Sequence, residues 1–73
     1  MKAISLEPVS SSNIEAIGYG DGLLIIEFKD GDRYSYSGVS QETFDELRTA
    51  PSVGRFFHLH IRDKYATTKL WSK

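Results

Sequence analysis

The sequence predicts an α+β domain, a small antiparallel β-meander of three to four strands followed by two short helices packed on one face of the sheet. Three features predict it. From Pro8 to Ser37, short apolar and aromatic runs alternate with clusters of Gly, Asp, Asn and Ser, the pattern of strands joined by tight turns. After Gly38 the apolar period lengthens to that of a helix, and Ser40 and Ser52 each stand as an N-cap before such a stretch. The chain has 73 residues and reads as a single domain over residues 1–73. Folding at that size buries only about 60% of the surface the unfolded chain exposes, so there is one core and little room for an enclosed cleft.

The elements follow in order. Ser10-Ser11-Ser12-Asn13 is a polar turn after Pro8-Val9. Ile14 to Tyr19 forms a strand that reaches a glycine-rich break at Gly20-Asp21-Gly22, and Leu23 to Phe28 forms the next. The following loop fixes a register. If Lys29-Asp30-Gly31 is a three-residue loop with Gly31 left-handed, Ile26 faces Tyr34, Leu24 faces Tyr36 and Glu27 faces Arg33. Leu24, Ile26, Phe28, Tyr34 and Tyr36 then share one side, with an opposite-charge pair on the other; a two-residue loop would mix the faces. Val39 before the Ser40 cap and Phe44 four positions into the helix make a hydrophobic staple, so a helix runs from about Gln41 to Arg48. Pro51 interrupts. Ser52 caps a second helix in which Val53, Phe56, Phe57, His60 and Ile61 form one stripe, ending near Tyr65, with Arg55, Leu59 and Arg62 on the opposite face. Residues 66–73 form a last short strand or a docked tail.

Composition excludes several classes. There is no cysteine, hence no disulfide, thiolate metal site or thiol nucleophile, which suits the cytoplasm. The longest aliphatic run is Leu23-Leu24-Ile25-Ile26, far short of a membrane span, and Met1 to Glu7 lacks the apolar core of a signal peptide. Nine Lys and Arg balance ten Asp and Glu, for a net charge of −1. The balance is uneven: Met1 to Val53 carries net −5, and Gly54 to Lys73 carries net +4. An acidic body thus joins a basic final segment.

Few motifs carry chemistry. Gly18-x-Gly20-x-Gly22 has strands on both sides, whereas a dinucleotide loop needs a helix after it, so it reads as a hairpin. His58 and His60 lie two apart on a helix and point about 200° from each other, so they do not share a metal ion. His60 falls on the apolar stripe as a partly buried, hydrogen-bonded histidine, and His58 faces solvent. No serine has the spacing of an activated nucleophile. Ser52-Val53-Gly54-Arg55 is more informative, because unpaired backbone N–H groups, a glycine without side-chain bulk and a cation could receive an anion there. The plainer reading of the same residues is a cap and a close helix-to-sheet approach. Tyr34 and Tyr36 read either as core or as a stacking surface. Arg55, Arg62, Lys64, Lys69 and Lys73, interleaved with Phe57, Tyr65 and Trp71, supply the ingredients of phosphate contact and base stacking.

Several ordered stretches resemble one family. Val9-Ser10-Ser11-Ser12-Asn13-Ile14, Gly18-Tyr19, Leu24-x-Ile26-x-Phe28, Tyr34-Ser35-Tyr36 before Gly38-Val39, and Ser52-Val53-Gly54-Arg55-Phe56-Phe57 with His60-Ile61 and Tyr65 together resemble the KTSC domain. That family takes its name from a C-terminal extension of some lysyl-tRNA synthetases and also occurs as small stand-alone bacterial and phage proteins. The likeness covers about residues 8 to 65. Ser40 stands where the family more often has proline, and both suit a helix start. The attachment to a synthetase implies RNA binding. The family's motif positions fall here on Ser11, Ser12, Tyr34, Tyr36, Ser52, Gly54, Phe57 and Ile61. Phe57 and Ile61 belong to the core stripe, so the resemblance implies a site where the serine turn, one or both tyrosine hydroxyls and the second helix's start converge.

The expected function is a non-enzymatic binding module for RNA or another phosphate-bearing ligand, with no cofactor. Its candidate site is Ser11, Ser12, Tyr34, Tyr36, Ser52, Gly54, Arg55 and Arg62. The alternatives are a protein-interaction or self-association module, a homodimer covering a strand edge or the Trp71 tail, and a protein that sequesters a small nucleotide-like anion.

Overall fold

The structure is a computed structural model that describes residues 4–71. Lys73 of the basic segment and Met1 to Ala3 lie outside the described residues. Five strands form one antiparallel sheet in sequence order: β1 (Glu7–Pro8), β2 (Ile14–Gly20), β3 (Leu23–Phe28), β4 (Arg33–Ser37) and β5 (Ala66–Trp71). Helices α1 (Gln41–Arg48) and α2 (Val53–His60) lie between β4 and β5 in the chain.

The turns set the sheet. Asp21 and Gly22, both at positive φ, close β2 onto β3, with Gly20 opposite Leu23. At the far end of β3, Phe28 N–H donates to the Asp32 carbonyl at 2.8 Å, and Gly31 sits at φ +101°. Lys29-Asp30-Gly31 is thus the three-residue loop with a left-handed glycine. The expected register follows, with Ile26 opposite Tyr34, Leu24 opposite Tyr36, and Arg33 Nε bound to Glu27 Oε2 at 3.1 Å.

Both helices begin at their serine caps. Ser40 Oγ accepts from Thr43 N–H at 3.1 Å, and Ser52 Oγ accepts from Arg55 N–H at 3.3 Å. Val39 and Phe44 of the staple are both buried. The core lies between the helices and one face of the sheet, built from Ile14, Ile17, Leu24, Ile26 and Tyr36 below and Phe44, Leu47, Val53, Phe57 and Ile61 above. Tyr19 stacks on Phe44 with ring centroids 5.1 Å apart, and its hydroxyl donates to the Val39 carbonyl. That pair ties β2 to the start of α1.

Three expectations change. The sheet has five strands, because β1 is a two-residue edge segment with a proline and β5 returns after the helices to pair with β4. Neither shows a strong alternation, since the residues of β1 and the described side chains of β5 are exposed. Helix α2 stops at His60 instead of near Tyr65. Ile61 and Arg62 N–H both donate to the Phe57 carbonyl at 2.9 Å, and Asp63 takes φ +63°, so the chain reverses in time to enter β5. His60 is exposed, its ring 4.6 Å from that of Phe56, and is not a buried hydrogen-bonded histidine.

Part of the other face of the sheet, over β2, is covered from below. An ideal Cβ on Gly18 would stand 2.6 Å from the Ser5 carbonyl oxygen and 2.7 Å from Leu6 Cδ2. Residues 4–6 therefore cross β2 in contact with its backbone.

Candidate functional site

The serine turn and the start of α2 meet. Ser11 Oγ accepts from Ile14 N–H at 3.2 Å and donates to Asn13 Oδ1 at 3.2 Å, which curls residues 10–13 back on themselves. The curl lies directly against Gly54. A Cβ there would come within 2.9 Å of Asn13 Oδ1 and 3.2 Å of Ser11 Oγ. Gly54 is thus the residue that admits the serine turn to the helix.

Two adjoining open clefts result. The first is polar, lined by Ser10, Ser11, Ser12, Lys29, Ser52 and Arg55 among others, with no acidic residue. Neither Lys29 nor Arg55 forms an ion pair among the described residues. The second, of about 450 Å³, is floored by Phe28, Tyr34, Tyr36 and Phe57 and rimmed by Asp30, Asp32, His58, Arg62 and Asp63. Asn13 and Gly54 line both and form the saddle between them. Of the residues singled out from sequence, Ser11, Ser12, Ser52, Gly54 and Arg55 come together in the polar cleft, while Tyr34, Tyr36 and Arg62 lie with Gly54 in the aromatic one. The expected single convergence is therefore two compartments that meet at Asn13 and Gly54.

Lys29 and Asn13 were not among the candidate site residues expected from sequence. Their signal is in the pairing of β2 with β3. A bulge at Glu15 brings Ile14 opposite Phe28, so Asn13 accepts from Lys29 N–H at 2.9 Å and both residues reach the same end of the sheet as the serine turn.

Tyr36 belongs to the core and also lines the aromatic cleft. Its ring is only 5% exposed and meets Phe57 edge to face at 5.5 Å, yet its hydroxyl has no hydrogen-bond partner among the described residues and is not sealed from solvent. It opens into the aromatic cleft. Burial pushes its pKa from 10 up to about 12; Tyr34 and Asp63 add to the rise and Arg62 opposes it. The folded state therefore keeps a proton that the unfolded state loses. Stability is fully present below pH 10 and declines as pH rises toward 12. Denaturation measured at stepped alkaline pH should show this decline, and Tyr36→Phe should flatten it.

The cations divide by partner. Arg62 Nε lies 4.0 Å from Asp63 Oδ2, and its Nη1 lies 3.3 Å from His58 Nδ1. Lys69 Nζ is 3.6 Å from Asp32 Oδ2 and sits over the Tyr34 ring at 5.8 Å from its centroid. Arg55, Leu59 and Arg62 all face solvent. Of the positive final segment, Arg55 and Lys64 form no ion pair among the described residues, and Arg55 is the one that stands beside the serine turn.

A five-stranded antiparallel sheet with two capped helices on one face, and a bipartite cleft at the start of the second helix, defines a compact α+β module. The chain belongs to the KTSC domain family, whose description matches residues 10–65. A protein of Tsukamurella paurometabola is 37% identical over 67 residues, covering 89% of this chain and all of that protein. The crystal structure of a KTSC domain protein from Yersinia pestis superposes with a TM-score of 0.88 at 39% identity, covering 94% of this chain and all of the other. No helix among the described residues is long and apolar enough to cross a membrane.

Proposed function

We propose that the protein is a non-catalytic binding module for RNA or another phosphate-bearing ligand, held at the polar cleft. The observation that carries this reading is the pairing of two uncompensated cations, Lys29 and Arg55, with a wall of serine hydroxyls and no carboxylate. Charge-assisted hydrogen bonds from a lysine, an arginine and hydroxyls are the chemistry that phosphate oxygens accept. Ser52 already satisfies Arg55 N–H, so the cap itself supplies little and the side chains carry the site. The chain's overall charge of −1 confines binding to this patch.

Titration of a short single-stranded RNA at two salt concentrations tests the reading. Affinity should fall as salt rises, and Arg55→Ala should weaken binding and lower the salt slope by about one counterion. Binding that ignores both salt and Arg55 would contradict it.

A second reading is self-association. β5 ends the sheet, its outer backbone edge is unpaired among the described residues, and Leu70 is 50% exposed. Sedimentation velocity over a range of concentrations should then show a dimer, and Leu70→Lys should remove it. A monomer throughout would dispose of this second reading.

A further inference from the structure

The two clefts differ in sign, and the difference assigns them to different parts of one ligand. The polar cleft has cations and hydroxyls without carboxylates, whereas the aromatic cleft has three carboxylates on its rim, Asp30, Asp32 and Asp63, against one arginine, Arg62, whose Nε lies 4.0 Å from Asp63. Those carboxylates repel phosphate. They accept hydrogen bonds from N–H groups, as does a phenol oxygen. Asp32 Oδ2 is turned to Lys69, and Asp30 Oδ1 takes the Asp32 N–H at 3.0 Å, but each carboxylate has further acceptor positions. The second, independent observation is Tyr36. The residue is 5% exposed and lines the cleft, and its hydroxyl, open to solvent, has no hydrogen-bond partner among the described residues. A phenol hydroxyl that is open to solvent and not held by a protein partner is free to exchange water for a ligand atom.

We propose that the aromatic cleft takes an amino-bearing nucleobase whose phosphate lies in the polar cleft, the ligand crossing the Asn13–Gly54 saddle. The proposal rests on the phosphate reading of the polar cleft and adds the identity of the other half. Aromatic rings on the floor contact the base, Tyr36 hydrogen-bonds it, and the rim carboxylates accept from its exocyclic amine. Adenine, cytosine and guanine carry that amine. Uracil carries a carbonyl in its place, which faces the carboxylates unfavourably.

Amide chemical-shift mapping with inorganic phosphate, AMP and UMP tests this. All three should move the amides of residues 10–13, Lys29 and Arg55. Only AMP should also move those of the aromatic cleft, around Tyr34, Tyr36 and Arg62. Tyr36→Phe should weaken AMP about two- to tenfold, the range of one hydrogen bond, and leave inorganic phosphate unchanged. If AMP and UMP give the same map with the aromatic cleft silent, the base assignment is wrong and the phosphate reading stands. If inorganic phosphate, AMP and UMP all leave the polar cleft unmoved, both are wrong.

Discussion

Phe57→Ala should destabilise the protein by about 3–5 kcal/mol, the usual cost of deleting a buried aromatic side chain. Phe57 is 6% exposed and stands on α2 where that helix meets the sheet, in edge-to-face contact with Phe28 at 5.6 Å and Tyr36 at 5.5 Å. Its removal takes away burial area and both aromatic contacts, which are worth about 0.5–1.5 kcal/mol each beyond area. A single core of this size rarely nets more than about 3–5 kcal/mol, so the variant should be largely unfolded at room temperature. Circular dichroism of the variant checks this directly. A cooperative melt close to that of the parent would mean that α2 is held by something other than this ring. Phe57→Leu keeps apolar volume and should retain the fold while altering the floor of the aromatic cleft.

Gly18→Ala should cost about 1–3 kcal/mol by overpacking, although alanine suits a strand no worse than glycine does. The clash is with backbone: the added methyl would fall 2.6 Å from the Ser5 carbonyl oxygen, with Leu6 Cδ2 at 2.7 Å and Ile4 Cγ2 at 2.9 Å. The strand cannot move, because Gly18 is paired opposite Ile25 in the middle of β2 and β3. Residues 4–6 must therefore lift away from β2. Urea titration should show a lower midpoint, and hydrogen exchange should quicken in residues 4–8. The same methyl at Gly54 would meet the tip of the Asn13 side chain and the Ser11 hydroxyl, which can rotate, so that substitution should act on the cleft more than on the fold.

What the sequence disclosed depended on whether the signal was local. The β3–β4 hairpin was legible because one loop length sorts apolar from charged side chains, and both helix starts were legible because a serine cap and its staple are encoded within a few residues. β5 was ambiguous because no face of it is buried deeply enough to impose alternation. The reversal at residues 61–65 depends on where β5 must dock, which is a tertiary matter. The cover over Gly18 was invisible for the same reason: residues 4–6 bear no mark of which strand they cross. The meeting of Ser11 with Gly54 came from family resemblance and not from spacing, and the division into two clefts required the β2 bulge, which no residue near Glu15 announces. Tyr36 could be read as core or as site. Its ring lies in the core and its hydroxyl is open to solvent.

The central claim is that the polar cleft between the serine turn and α2 receives phosphate. The most direct measurement is an amide chemical-shift map with a short single-stranded RNA on the parent protein. The account requires the largest changes at residues 10–13, Lys29 and Ser52 to Arg55, all of them lost with added salt. Changes concentrated along β5, or changes at the polar cleft that persist in Arg55→Ala at unaltered affinity, would contradict it.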